Sequence, residues 1–351
     1  MKSRTHTMPG DLLMLRLARP RWSASIERQI RALAPGAILL AGPLPGSPDA
    51  VCELLAGISR CLPTPPILAL EEEGGNNDPL SVFLPPLPSP QSIGQTGPRA
   101  ARQAGELIGE ALKLLGFNTN LAPGLDLAPA HPQETSNTGA FSSDPNAVKE
   151  CGWSWIEGQK RHKILSCAKH FPGLASVPAA LEELPVSGRS MAELWAHDLI
   201  PYRELLPRLP MAMLSTAAYK AYDFNYPRSA ALSARIVQGL LRAKLGYPGM
   251  VVAPGLEDQR VRGPLDLGAA AVEAVGVGCD LLLVEDEASW HIMRQSLEQA
   301  LKSGNLLCER FDQAGSRVEA ARKRLGTPSG RLAKSAWDRL MRRFEEFNSD
   351  F

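Results

Sequence analysis

Ile164-Leu165-Ser166-Cys167-Ala168-Lys169-His170-Phe171-Pro172-Gly173 is the stretch from which the fold is read. Its first half is an apolar run of strand length. It ends on two polar side chains, Lys169 and His170, before Pro172 and Gly173 break it into a loop. A strand that carries a cation and an imidazole to a loop matches the rim of a parallel α/β barrel, where chemistry sits at strand C-terminal ends. The loop that follows is mostly apolar or small, with Leu174, Ala175, Val177, Pro178, Ala179, Ala180 and Leu181 preceding Leu184-Pro185.

Outward from this stretch the pattern repeats. Residues 37–41, 67–70, 118–121, 211–215, 250–253 and 280–284 are further short apolar runs, so at least seven strands are expected. Helical periodicity separates them: residues 26–33, a helix through Ile58 capped by Asp49, residues 100–115, and a helix from Asp144-Pro145 to Gln159. A capping box, Ser190 with Glu193, starts a helix to Leu199. Helices over 232–245, 269–275 and 295–325, the last broken near Gly304-Asn305, complete the series. Residues 76–90 hold five prolines and are expected to run as surface loop. Residues 128–143 are a long irregular loop of the kind that covers a site. Strands alternating with helices predict parallel βαβ units, and the economical closure is a TIM-type (β/α)8 barrel. It is expected as a single domain over residues 10–326, followed by an amphipathic C-terminal helical tail over residues 327–351.

The 351 residues suit one barrel of roughly 250 residues with insertions. Lys and Arg number 38 against 37 Asp and Glu, so no global field draws nucleic acid or an anionic membrane, and neither partner is expected. Hydrophobic residues make up 44%, enough for a sizeable core, yet no run approaches the ~18 apolar residues that span a bilayer. Residues 1–10 carry Lys2 and Arg4 without a following signal-peptide core. The six cysteines are scattered with no Cys-x-x-Cys pair, so reduced thiols and a cytoplasmic location are expected. No metal site or cofactor motif is visible.

The strand at 67–70 runs directly into Glu71-Glu72-Glu73-Gly74-Gly75, which reads either as a solvated turn or as a substrate-facing rim. The last strand likewise precedes Glu285, Asp286 and Glu287. His162 and His197 fall on helices and read as capping or surface residues.

Ala168-Lys169-His170-Phe171-Pro172-Gly173 resembles the signature of glycoside hydrolase family 3, in particular its single-domain bacterial β-N-acetylglucosaminidases. Other segments resemble that family in the same order. They are Gly10-Asp11-Leu12-Leu13-Met14, the Glu-Gly-Gly strand end at 73–75, residues 116–126 with Ala122-Pro123 and Asp126, residues 141–148, Ala196-His197-Asp198-Leu199-Ile200-Pro201, and residues 240–252. The resemblance implies a retaining mechanism: an aspartate at the end of the strand near 250–253 as nucleophile, and an acid/base histidine on the loop after Lys-His-Phe-Pro-Gly. An oxocarbenium-like transition state needs a carboxylate on one side and a proton donor on the other.

The chain departs from the pattern at those positions. Ser-Asp-Asp-Leu of the family corresponds to Ala253-Pro254-Gly255-Leu256, which puts Pro254 at the nucleophile position. Its Asp-Ser-His corresponds to Ala179, Ala180 and Leu181, so Leu181 replaces the acid/base histidine. Gly139-Ala140 stand where an arginine is expected, Asn76 replaces another, Met213-Leu214-Ser215-Thr216 lacks a histidine, and Glu71 replaces the sugar-binding aspartate. Neither proline nor alanine can substitute for a carboxylate nucleophile.

Lys169 and His170 match the family's sugar-binding pair; they would hold hydroxyls or bond internally to the rim. Glu71 and Glu73 are the other candidate substrate-binding residues, or else an ion pair for a buried Lys169. Glu257, Asp258 and Glu182 are the fallback catalytic carboxylates. The leading expectation is a pseudoenzyme that keeps the barrel and binds a sugar, a cell-wall fragment or an unidentified protein partner. The alternative is an active glycoside hydrolase with relocated carboxylates. A third, structural role predicts a pocket closed by the apolar loop at 174–181.

Overall fold

The computed structural model describes residues 7–18, 21–129, 139–174, 177 and 183–351. Eight strands, all parallel, close into a barrel in which each strand lies beside its neighbours in sequence. They are β1 (Leu13–Ala18), β2 (Ala37–Ala41), β3 (Ile67–Leu70), β4 (Thr119–Asn120), β5 (Leu165–Phe171), β6 (Met211–Leu214), β7 (Met250–Ala253) and β8 (Leu281–Val284). The expected TIM-type barrel is the fold observed. A barrel strand is buried on both faces, which is why β3, β6 and β7 are short uninterrupted apolar runs without polar alternation. A separate small parallel pair, Val186–Ser187 with Ala218–Tyr219, lies outside the barrel.

The strand that closes the barrel, β1, was not among the expected seven. It pairs with β2 and β8, through Met14 beside Ala37 and Leu13 beside Leu282. Arg16 interrupts its apolar run because that side chain lies at the rim, partly open to solvent, where it meets Glu285 at 2.5 Å.

Local chemistry sets the helix boundaries. The helix Pro48–Cys61 is capped by Ser47, whose hydroxyl accepts from the Ala50 amide at 3.2 Å; Asp49 lies inside its first turn. Asp144 caps Pro145–Lys160 as expected. The Ser190–Glu193 capping box is present, but its helix stops at Ala196 and a second one runs over Leu199–Leu205, with His197 at the break. In the proline-rich segment Leu80, Leu84 and Leu87 are buried, so this loop packs into the body and does not merely drape over it.

The tail is part of the same core. Its helix, Lys334–Asn348, buries Trp337, Leu340, Phe344 and Phe347. Arg343 pairs with Glu110 on the helix Pro98–Leu115, and the Asn348 amide donates to the Pro86 carbonyl at 2.8 Å. Phe344→Ala is therefore expected to lower the unfolding free energy by about 3–5 kcal/mol in urea denaturation. A loss below ~1 kcal/mol would mean that the tail does not share the barrel's cooperative unfolding.

Candidate active site at the barrel mouth

The mouth is built where β3, β4 and β5 end. Strand β5 pairs with β6 through Ala168 beside Ala212, and next through Phe171 beside Leu214. Two residues of β5, Lys169 and His170, thus face one residue of β6. This irregularity lets two consecutive side chains leave the ladder at one place. The Lys169–His170 and Phe171–Pro172 peptides are cis.

Lys169 is 2% exposed, and its ammonium meets two carboxylates from the end of β3: Glu71, and Glu73 at 3.4 Å. Burial alone would lower its pKa; Glu73 and Glu71 more than offset this, so the value is raised and the lysine is a cation. Glu71 and Glu73 share one side of an extended segment, whereas Glu72 points to the other. The buried Glu72 accepts from the Gly74 amide at 2.9 Å and the Leu80 amide at 3.1 Å, tying down the proline-rich loop. Burial, with Asp78 beside it, holds its carboxyl well above the ordinary range. Burial also opposes ionisation of Glu71, but Lys169, by charge and hydrogen bond, brings its pKa below the ordinary value.

His170 is oriented by Asp126, a buried residue that the sequence reading left out of the site. Asp126 Oδ2 lies 2.8 Å from His170 Nδ1, and its Oδ1 accepts from the Leu174 amide at 2.8 Å. A carboxylate only accepts, so His170 Nδ1 carries a proton and Asp126 fixes the orientation of the ring. The position was legible in the Ala-Pro-x-x-Asp spacing; its role required the fold. Gly173 completes the turn at φ +124°, where an added Cβ would stand 2.8 Å from Asp198 Cβ. Its carbonyl accepts from Tyr219 Oη at 2.6 Å, and Asp198 itself is buried against Arg189.

The remaining candidates separate from this cluster. Pro254 follows the last residue of β7 directly and is buried. Glu257 Oε1 accepts from the Glu285 amide at 3.0 Å, and its Oε2 is buried without a hydrogen-bond partner among the described residues. Burial raises its pKa in spite of that hydrogen bond. An added Cβ on Gly255 would lie 3.3 Å from both Glu257 Oε2 and Glu285 Oε1, which puts these two carboxyls over the end of β7. Glu285 is a further residue that the candidate list missed. Asp258 is engaged elsewhere: it caps Gln259–Arg262 and binds the Arg260 side chain at 2.5 Å. Gly139 lies at the mouth, its carbonyl 3.1 Å from a Cβ placed on Gly124, near Glu73. Leu181 and Glu182 lie outside the described residues, as does most of the apolar loop; Val177 is buried. His162 lies in the turn after its helix, and His197 is exposed.

Residues 46–321 match the family model described as the glycosyl hydrolase family 3 N terminal domain. An uncharacterized secreted glycosyl hydrolase of Arthroderma benhamiae is 31% identical over 270 residues, 74% of this chain and 75% of that one. A beta-hexosaminidase of Alkalilimnicola ehrlichii is 31% identical over 249 residues, 68% of this chain and 70% of its own. Among solved structures, a fungal multi-domain GH3 beta-N-acetylglucosaminidase superposes with a TM-score of 0.87 at 23% identity, over 97% of this chain and 42% of that longer one. That last likeness is one of fold.

The charge cluster gives a pH signature. Because Glu71 is held below its ordinary pKa, its contribution to stability is full above the unfolded value of about 4.3 and is lost as pH falls through the folded value. The stability difference between the wild type and Glu71→Gln is expected to narrow between pH 7 and pH 3 in urea denaturation. A difference that stays constant over that range would refute the assignment.

Proposed function

The chain belongs to glycosyl hydrolase family 3, and from that premise we propose that it is a carbohydrate-binding member without glycosidase activity. The observation that carries this reading is Pro254 at the end of β7, the place where the family's nucleophile is implied. Retention needs a nucleophile on one face of the sugar and a proton donor on the other, and a proline ring offers neither a nucleophile nor a charge. Losing a group that acts as part of a catalytic unit removes most of what the whole unit supplies.

Part of the ligand side of the mouth keeps polar groups that can hold a sugar. Lys169 donates, Glu71 and Glu73 accept, and His170 offers an imidazole ring held by Asp126. Donors and acceptors fixed on strand ends suit the hydroxyls of one sugar ring, and an N-acetylhexosamine is the class that the relatives' names favour.

One observation favours a second reading, an active hydrolase with relocated carboxylates. Glu257 has a buried oxygen without a partner among the described residues, burial raises its pKa in the direction a general acid needs, and Glu285 lies beside it.

Two measurements separate the readings. With aryl β-N-acetylglucosaminides, release of the aryl alcohol is expected to stay at the uncatalysed rate. Calorimetric binding of N-acetylglucosamine is expected, weakened about tenfold or more by His170→Ala through loss of a buried-side hydrogen bond. Aryl alcohol release that Glu257→Gln abolishes would overturn the first reading and establish the second.

A further inference from the structure

At the end of the barrel opposite Lys169 and His170 lies a cavity of about 520 Å³. Its walls come from the first residues of β5 and β7, the turn before β6, the last turns of the helix Pro145–Lys160, and the helix Cys308–Arg322. The floor is apolar, formed by Ile156, Ile164, Leu209 and Met250. Trp153 makes one side, with the Arg208 guanidinium 5.0 Å from its ring centroid.

The charge around this apolar floor is one-sided. Lys160, Arg208, Arg317 and Arg324 line the cavity against a single carboxylate, Glu157. Lys160 is paired with Glu157 at 3.2 Å. Arg208 and Arg324 are exposed and have no carboxylate partner among the described residues.

Arg317 brings a second excess. It shares the fully buried Asp280 with Arg242 and Arg310, at N–O distances of 3.0, 2.6 and 3.0 Å. Three guanidiniums on one carboxylate leave two positive charges over, and Nη1 of Arg310, a side chain only 10% exposed, has no hydrogen-bond partner among the described residues. Uncompensated cations beside a low-dielectric wall hold a positive potential in the adjoining cavity.

We propose that this cavity binds a small amphipathic organic anion. Its apolar body lies on Ile156, Leu209 and Met250, and its anionic group faces Arg317 and the rim pair Arg208 and Arg324. The volume falls within the range of small-molecule sites. The site is separate from the mouth, since it lies at the N-terminal ends of the strands, and it does not depend on whether the mouth turns over a substrate.

The test uses the full chain and two fluorescent probes: 1-anilinonaphthalene-8-sulfonate, an amphipathic anion, and the uncharged N-phenyl-1-naphthylamine. The anion is expected to bind saturably at one site, about tenfold more tightly than the neutral probe, and more weakly as salt rises from 0.1 to 0.5 M. Reversing the exposed rim with Arg208→Glu and Arg324→Glu is expected to weaken the anion about tenfold and leave the neutral probe unchanged. Ala321→Trp, which puts bulk into the wall, is expected to abolish binding of both. The rim variant alters exposed side chains, so it remains decisive if the filled variant folds poorly. Equal binding of the two probes, or anion binding indifferent to the rim reversal, would overturn the proposal.

Discussion

The barrel mouth depends on one buried cation. Taking the Lys169 ammonium out of water costs several kcal/mol unless opposite charge meets it, and the chain meets it with Glu71 and Glu73 from the adjoining end of β3. This demand fixes much else. The Glu-Glu-Glu turn must extend for one more alternation beyond β3, so that the first and third carboxylates point inward and the second is free to anchor the proline-rich loop. That loop in turn lies beneath the tail helix through Asn348 and Pro86. A single charge balance therefore ties the centre of the mouth to the C-terminal end of the chain.

The barrel was legible because its strands are short apolar runs at regular intervals, and a helix between parallel strands leaves few other closures. Residues 37–41, 67–70 and 250–253 are strands over those very spans. What escaped was set by tertiary contacts. Arg16 disguised β1 because its partner, Glu285, is 269 residues away in sequence. Ser47 displaced Asp49 as a cap because the helix starts two residues earlier than that cap would place it, at Pro48. The expected helix over 190–199 is two helices, since Asp198 is drawn into the interior against Arg189 and Gly173.

The site was legible in kind and not in grouping. Glu71, Glu73, Lys169 and His170 do come together, as a cluster of side chains whose types and strand-end positions were visible. Asp126 was visible only as a motif letter, because its function is to orient His170 across two strand ends. Glu257 and Asp258 look equivalent in sequence, adjacent carboxylates on one loop, and the fold separates them: one turns inward beside Glu285, the other caps a helix and binds Arg260.

Persistence of Lys-His-Phe-Pro-Gly beside Pro254 is physically reasonable, because the two places answer to different constraints. Within the motif nearly every residue has an internal partner: Lys169 has its carboxylates, His170 has Asp126, and the Gly173 carbonyl accepts from Tyr219. Phe171 packs edge-on against Tyr202 at 5.3 Å, and a side chain at 173 would collide with Asp198. Replacing any of these leaves a buried charge, an unpaired polar group or a clash, each of which lowers stability whether or not the mouth does chemistry. A nucleophile at the end of β7 would be held by no such demand, since the strand ends there and the turn to Leu256 needs only a residue that can be buried. The motif therefore testifies to the fold, and evidence for activity has to come from the groups that the fold does not itself require.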